Sequence, residues 1–394
     1  MASTHELMVA QRQTDRQRLS RKRFGMHKHL SNGPLMKPAA PSCPNIDVPP
    51  LEQNPTPRIA VVIPSYKVRG HILSVIERIG PEVGRIYVVD DACPEASGRY
   101  VEETVKDPRV RVIYNVVNQG VGGAMVAGML QAAAEGADII VKIDGDGQMD
   151  PGLIPGFVGV IASGEADYTK GNRFFEPEGL GSMPVGRLVG NAGLSFLAKI
   201  SSGYWHTFDP TNGFFAIHAS LVALLPTEKL AKRYFFESDL LFRLNIIGAR
   251  IADVPMHAHY ADERSSMKPL QEILRFSTAH LRNFTKRIFY NYFLRNFSVA
   301  SIELALGLLL LLFGAIYGLG NWGISEPASA GTVMLAALPI IVGMQLLLAF
   351  VNYDIQSVPR TTLHLRLRSS AQPMRALKHR DAESARKKDI DRVR

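Results

Sequence analysis

Two carboxylates two residues apart, Asp144 and Asp146, close an apolar run that begins at Ala137, and the string continues Gly147-Gln148-Met149-Asp150-Pro151. At the end of a strand, such a pair can converge on one hard cation, with the Gln148 amide oxygen as a third ligand. Mg²⁺ or Mn²⁺ bound by few protein oxygens keeps positions open for diphosphate oxygens. A cation held that way neutralises the charge on a departing diphosphate. An isolated Asp-x-Asp is also a common turn, so the pair gains meaning only from its surroundings.

Three further elements surround it. Asp90-Asp91-Ala92 closes another apolar run and offers acceptors for a base N–H and for ribose hydroxyls. Pro64-Ser65-Tyr66 follows the first apolar run, where an aromatic ring can lie against a base. Asn118-Gln119-Gly120-Val121-Gly122-Gly123-Ala124 is a glycine-rich entry to a helix. Helix N-termini attract anions, and glycines at a turn are explained equally well by backbone geometry. His257 and His259 stand two apart, either as a metal pair or as a sheet-edge pair with no third ligand beside them. Tyr204 and Trp205 are candidates for stacking on a sugar or for packing in the core.

The elements that must position these residues read as a nucleotide-binding α/β sheet. Short apolar runs at 59–64, 85–90, 110–114 and 137–144 alternate with helix-like stretches at 71–79, 98–106 and 122–135. Buried strands alternating with helices make a largely parallel sheet covered on both faces. Ligands of open α/β sheets sit beyond the carboxyl ends of the strands. Asp90, Asp91, Asp144 and Asp146 are therefore expected to gather in one cleft.

The C-terminal third has a different texture. Between Lys268 and Asn296, Arg275, Arg282 and Lys286 share a helical face among interleaved aromatics. This reads as helices lying in a membrane interface, with a helix pair packed on the sheet as the alternative. Residues 298–320 and 330–352 are each long and apolar enough for one span. The loop from Asn321 to Ser329 has no Lys or Arg, whereas Lys286, Arg287, Arg295, Arg360, Arg366 and Arg368 flank the outer ends. By the positive-inside rule this is a two-span hairpin with both ends cytoplasmic. Glu303 within the first span is either functional or paired with Arg295. Gly307, Gly314 and Gly318 have the spacing of a close-packing face, which makes self-association an open expectation.

Composition agrees with a soluble domain carrying a few membrane segments. The 394 residues are 46% hydrophobic and 21% charged, and 45 Lys plus Arg against 36 Asp plus Glu leave a net charge of +9. Two cysteines, Cys43 and Cys93, exclude a disulfide scaffold and suit a reducing compartment. Residues 1–57 read as a disordered basic and proline-rich tail without the apolar core of a signal peptide. Residues 355–394 carry eleven Lys or Arg against four acids and read as a basic cytoplasmic tail that favours anionic lipid. No nucleic-acid-binding module is apparent, and no nucleic-acid partner is expected.

From about Ile59 to Tyr260, the order and spacing of these motifs resemble glycosyltransferase family 2, which has the GT-A fold. The string from Asp144 to Pro151 resembles the branch of dolichol-phosphate mannose synthases and bacterial polyprenyl-phosphate glucosyltransferases. Gly171-Asn172-Arg173, Arg187 with Asn191, Asp209-Pro210-Thr211-Asn212-Gly213-Phe214 and Phe236-Glu237-Ser238-Asp239 fall where that branch has comparable blocks.

The resemblance implies a domain plan. A GT-A catalytic domain over 58–265 is followed by amphipathic juxtamembrane helices over 266–297 and then the hairpin. It implies a nucleotide site at Pro64, Tyr66, Asp90, Asp91, Asn118, Gly120 and Asp144, and a metal at Asp144, Asp146 and Gln148. It implies catalytic roles for Asp146, Glu237, Asp239 and Arg173, and an acceptor phosphate at Arg264 and Lys268. The implied reaction moves a sugar from a UDP- or GDP-linked donor to polyprenyl phosphate, with inversion, at the cytoplasmic face of the cell membrane. An acceptor phosphate is already an anion and needs no strong base, whereas an alcohol acceptor would need Glu237 or Asp239 as one. Glu237 can equally be a first-turn carboxylate near the helix dipole. Transfer to another membrane lipid and a catalytically silent membrane scaffold are the alternatives.

Overall fold

A computed structural model describes residues 56–175, 185–256, 269–322 and 328–369. The apolar runs form strands β1 (Ile59–Ser65), β2 (Val83–Asp90), β3 (Val110–Tyr114) and β4 (Ile139–Lys142), followed by β5 (Tyr168–Asn172), β6 (Phe215–His218) and β7 (Ile251–Pro255). Together they make one seven-stranded sheet in the order β3-β2-β1-β4-β6-β5-β7. The first four strands run parallel, β6 is antiparallel to both of its neighbours, and β5 and β7 are parallel to each other.

Alternation along the strands feeds two cores. Ala60 and Val62 face helix α3 (Val121–Ala134) and helix α6 (Phe236–Ile247). Val61 and Ile63 face α1 (Ile72–Glu77) and α4 (Ile154–Ala162). Burial on both faces explains why these strands read as continuous apolar runs. Helix α2 (Ser97–Thr104) follows β2.

Helix α5 (Val185–Ser202) and helix α7 (Pro269–Phe289) pack against each other. A π-helical turn at Tyr290–Arg295 leads from α7 to α8 (Val299–Gly320), which pairs with α9 (Ala330–Gln356). Both α8 and α9 are long and apolar enough to cross a membrane. They run antiparallel, because Gly307 meets Gly343 while Gly314 meets Ala336 and Ile340. Gly307 and Gly314 thus serve the hairpin itself, where a methyl group on Gly314 would stand 2.6 Å from the Ala336 carbonyl oxygen. Arg295 donates to the Ile246 carbonyl at 2.6 Å, and Glu303 has no ion-pair partner among the described residues.

Helix α7 packs on the domain along one face. His280, Asn283 and Arg287 are buried against the domain, while Arg275, Arg282 and Lys286 are exposed. Arg287 donates through Nη1 and Nη2 to the two carboxylate oxygens of Asp354, at 2.6 and 2.9 Å. Tyr292 and Trp205 donate to the same carboxylate at 2.6 and 2.9 Å. Trp205 is therefore an anchor for α9, and the Tyr204 hydroxyl bonds to the Ala249 carbonyl in the core.

Residues that follow α9 return to the sheet. Val358 packs on the core, and the Leu363 and His364 amides donate to Asp167 at 2.8 Å. His364 Nδ1 lies 2.7 Å from the same carboxylate, and its ring stacks on His218. Within the stretch read as a basic tail, residues 357–369 thus lie on the domain. Residues 1–55 and 370–394 fall outside the described residues, as do His257 and His259.

Candidate active site

A cleft of about 640 Å³ opens beyond the carboxyl ends of β1 and β4. Its lining includes Pro64 and Tyr66 after β1, Asp91 after β2, Asn118 and Gly120 before α3, and Asp144 and Asp146 after β4. Arg173, Thr211, Gly213 and Glu237 complete the wall from the other half of the sheet. Nine residues expected from sequence therefore meet in one place.

The floor is a buried charge cluster. Lys142, the last residue of β4, is 1% exposed, and its Nζ lies 2.8 Å from Asp144 Oδ1 and 3.2 Å from Glu237 Oε1. Burial works against the ammonium, but Asp144 and Glu237 outweigh it and hold the pKa of Lys142 above its ordinary value. Burial pushes the Glu237 carboxyl up, with Lys142 opposing and Asp144 reinforcing the shift. Gly213 passes directly over this cluster. A methyl group there would collide with Lys142 Nζ and stand 2.7 Å from Asp144 Oδ2.

Arg173 is held rigidly at the rim. Its Nε and Nη2 each lie 2.7 Å from an oxygen of Asp209, a bidentate pair that fixes the guanidinium plane. Asp209 is itself buried and adopts a left-handed backbone (φ 56°).

On the opposite wall, Asp91 shapes the glycine-rich loop. Its carboxylate accepts from Gln119 N at 2.9 Å, Gly120 N at 2.6 Å and Asn115 Nδ2 at 2.7 Å. Gly120 has φ 82° and lies close to the Lys232 carbonyl, an approach that no side chain would permit. The Gly122 and Gly123 amides at the start of α3 donate to that same carbonyl. The first turn of α3 is therefore capped from within the chain.

Residues 60–224 match the protein-family model for glycosyl transferase family 2. The chain carries a family 2 glycosyltransferase domain. Over 218 residues this glycosyltransferase is 29% identical to the UDP-N-acetylglucosamine–dolichyl-phosphate N-acetylglucosaminyltransferase of Methanococcus voltae, covering 52% of this chain and 86% of that one. It is 28% identical over 203 residues to the undecaprenyl-phosphate mannosyltransferase of Micrococcus luteus, covering 50% and 82%. Among solved structures it is similar to glucosyl-3-phosphoglycerate synthase from Mycobacterium tuberculosis in complex with Mn²⁺, UDP and glucosyl-3-phosphoglycerate. That match has TM-score 0.44 and 23% identity over 59% of this chain and 80% of that one. The seven-stranded mixed α/β sheet of this glycosyltransferase agrees with the fold that the sequence resemblance implies.

Three of the expected site residues lie elsewhere in the glycosyltransferase. Asp90 does not line the cleft: its two oxygens accept from Cys93 N and Gly98 N, both at 2.7 Å, and so brace the loop into α2. Asp239 is buried beneath the site and accepts from Ala231 N, Arg243 Nε and Asn283 Nδ2. Its carboxylate joins α6 to α7. Gln148 is absent from the lining, and its backbone amide donates to Asp146 Oδ1 at 3.0 Å. Among the described residues no cluster of three or more His, Cys, Asp or Glu side chains forms a metal cage. Arg264 and Lys268 fall outside the described residues.

Sequence reasoning missed Lys142, and it gave no site role to Thr211 and Gly213, although both stand in a block that the resemblance marked. The signal for Lys142 was present: a lysine inside an otherwise apolar buried strand must find a counter-charge, and the nearest candidate is two residues on.

Proposed function

We propose that this glycosyltransferase transfers a sugar from a nucleoside-diphosphate sugar to polyprenyl phosphate, inverting the anomeric centre and leaving a polyprenyl-monophosphate sugar. The observation that carries this reading is that the carboxylate cleft opens beside α7, the helix that leads directly into the apolar hairpin. Phe276 of α7 lines the cleft itself. The named acceptors of the two relatives, dolichyl phosphate and undecaprenyl phosphate, support the same class here.

Each residue then has a task. Tyr66 lies against the base, and Asp91 with its loop shapes the nucleotide seat. Arg173, held by Asp209, faces the phosphates with a fixed guanidinium. Glu237 accepts from a sugar hydroxyl while Lys142 fixes its position. The acceptor phosphate attacks as an anion, so alignment and charge stabilisation carry the rate. Arg264 and Lys268 are further candidates for holding that phosphate.

The donor set at the end of β4 suits Mg²⁺ or Mn²⁺. Asp144 and Asp146 present hard carboxylate oxygens to the same cleft, and a cation held by two carboxylates completes its shell with diphosphate oxygens. Bound there, the cation would offset charge on the leaving nucleoside diphosphate. The Lys/Arg-free loop of the hairpin, opposite its basic flanks, supports a cleft on the cytoplasmic side.

The test is product analysis on detergent-solubilised protein with Mg²⁺ or Mn²⁺. UDP- and GDP-sugars are supplied with and without undecaprenyl phosphate, and lipid products are read by mass spectrometry. A sugar monophosphate lipid that requires both metal and polyprenyl phosphate is expected. A glycolipid formed without polyprenyl phosphate would replace this reading with another lipid acceptor. Full transfer by Asp146→Ala would overturn the metal assignment.

A further inference from the structure

A second groove, of about 630 Å³, runs between residues 231–235 and α7. It is continuous with the cleft, since Arg233, Tyr234 and Phe276 line both. Its character differs from that of the cleft. The rings of Phe235 and Phe276 lie tilted against each other, centroids 5.8 Å apart, and give it an apolar floor. Arg233 comes from one wall, and Arg275 and Arg282 come from the other, seven residues apart on one face of α7. None of these three arginines has an acidic partner among the described residues. Lys232, by contrast, is committed to Gln119 Oε1 at 2.9 Å.

Aromatic side chains beside unneutralised guanidiniums suit a ligand that is apolar at one end and a phosphate dianion at the other. A free nucleotide or sugar phosphate has no use for the apolar floor. The helix that carries two of the arginines leads through the π-helical turn into α8, the first helix of the apolar hairpin.

We propose that this groove seats the acceptor lipid. Its first isoprene units lie on Phe235 and Phe276. Arg275 and Arg282 draw in the phosphate, and Arg233 delivers it to the cleft. The proposal rests on the polyprenyl-phosphate reading above and adds Arg233, Arg275 and Arg282 to the positions that the resemblance implied for the acceptor phosphate, Arg264 and Lys268.

Two measurements on the full-length protein in detergent micelles test it. In steady-state transfer, R275Q/R282Q is expected to raise KM for undecaprenyl phosphate about tenfold, the equivalent of one charge-assisted contact of about 1.4 kcal/mol. Donor KM and kcat should stay within about twofold, and R275K/R282K should recover most of the loss. An unchanged acceptor KM, or an equal rise in donor KM, overturns the proposal.

In the second measurement, wild-type protein without donor is labelled with a photoreactive polyprenyl phosphate. Adducts are expected in peptides spanning 231–235 and 275–282, competed by undecaprenyl phosphate but by neither undecaprenol nor phosphatidylglycerol. Adducts elsewhere overturn the groove while leaving the reaction intact. Competition by phosphatidylglycerol reduces it to general attraction for anionic lipid and also overturns it. Groove adducts without any transfer product would sink the reaction and keep the site.

Discussion

Lys142 Nζ lies 2.8 Å from Asp144 Oδ1, and the same ammonium reaches Glu237 Oε1 at 3.2 Å. One buried cation thus serves a carboxylate of the expected metal site and a carboxylate of the expected sugar site. Lys142→Met leaves two acids facing each other without it. Removing one partner of a buried pair costs about 3–5 kcal/mol, so a clear drop in the unfolding midpoint is expected, with transfer falling about a hundredfold. Adding Glu237→Gln should return part of the stability but none of the activity. Thermal unfolding and steady-state kinetics on the single and double variants measure both. Purely additive stabilities would show that Lys142 and Glu237 are not coupled.

Gly213 tests the same cluster from above. A methyl group there meets Lys142 Nζ and Asp144 Oδ2 before anything else outside its own chain neighbourhood. Both are side-chain termini, so the fold can absorb Gly213→Ala by moving them. Displacements near 1 Å at reacting groups cost about a hundredfold in rate. A loss of kcat of about ten- to a hundredfold, with the unfolding midpoint nearly unchanged, is the expected outcome. Unaltered kcat would show that this pair need not be held in place.

The sheet was legible because its strands are buried on both faces and so appear as unbroken apolar runs. The cleft was legible because Asp91, Asp144 and Asp146 sit just beyond strand ends. What stayed hidden depends on partners distant in sequence. Nothing local separates Asp90 from Asp91, yet the first is consumed by one loop amide and one amide in the first turn of α2, and the second borders the cleft. Asp239 looks catalytic beside Glu237, but two residues on, about half a helical turn round, it points at Arg243 and Asn283. Trp205 found its role only with Asp354, 149 positions away.

That long-range link carries its own prediction. Asp354 gathers Arg287, Tyr292 and Trp205, tying α9 to α7 and to the segment after α5. Arg287→Met leaves the Asp354 carboxylate buried with two neutral donors, a loss of about 3–5 kcal/mol. Asp354→Asn keeps the shape and part of the hydrogen bonding, so its cost is expected to be smaller. Limited proteolysis and thermal unfolding in detergent rank the two. Equal stability of Arg287→Met and wild type would mean that the hairpin is fastened to the catalytic domain by other contacts.

Two buried histidines predict how stability depends on pH. Burial pushes the pKa of His280 down to about 4, and burial together with the nearby His364 pushes His218 down to about 4. The unfolded value is near 6.5. Between these limits the unfolded chain binds more protons than the folded one, so stability rises with pH. The contribution is complete above pH of about 6.5 and is lost as pH falls toward 4. From pH 7 to 5 each histidine removes on the order of 1–2 kcal/mol. Urea unfolding of the solubilised protein at several pH values should show this slope, with His280→Asn removing about half of it. A slope of the same size in His280→Asn would place the acid sensitivity on other groups, with His218 the first to examine. Asp167, beneath the returning 363–369 segment, does not supply it: burial opposes, but hydrogen bonds to His364, Leu363 and Arg250 hold its pKa below the usual value, so its share of stability is lost only at still lower pH.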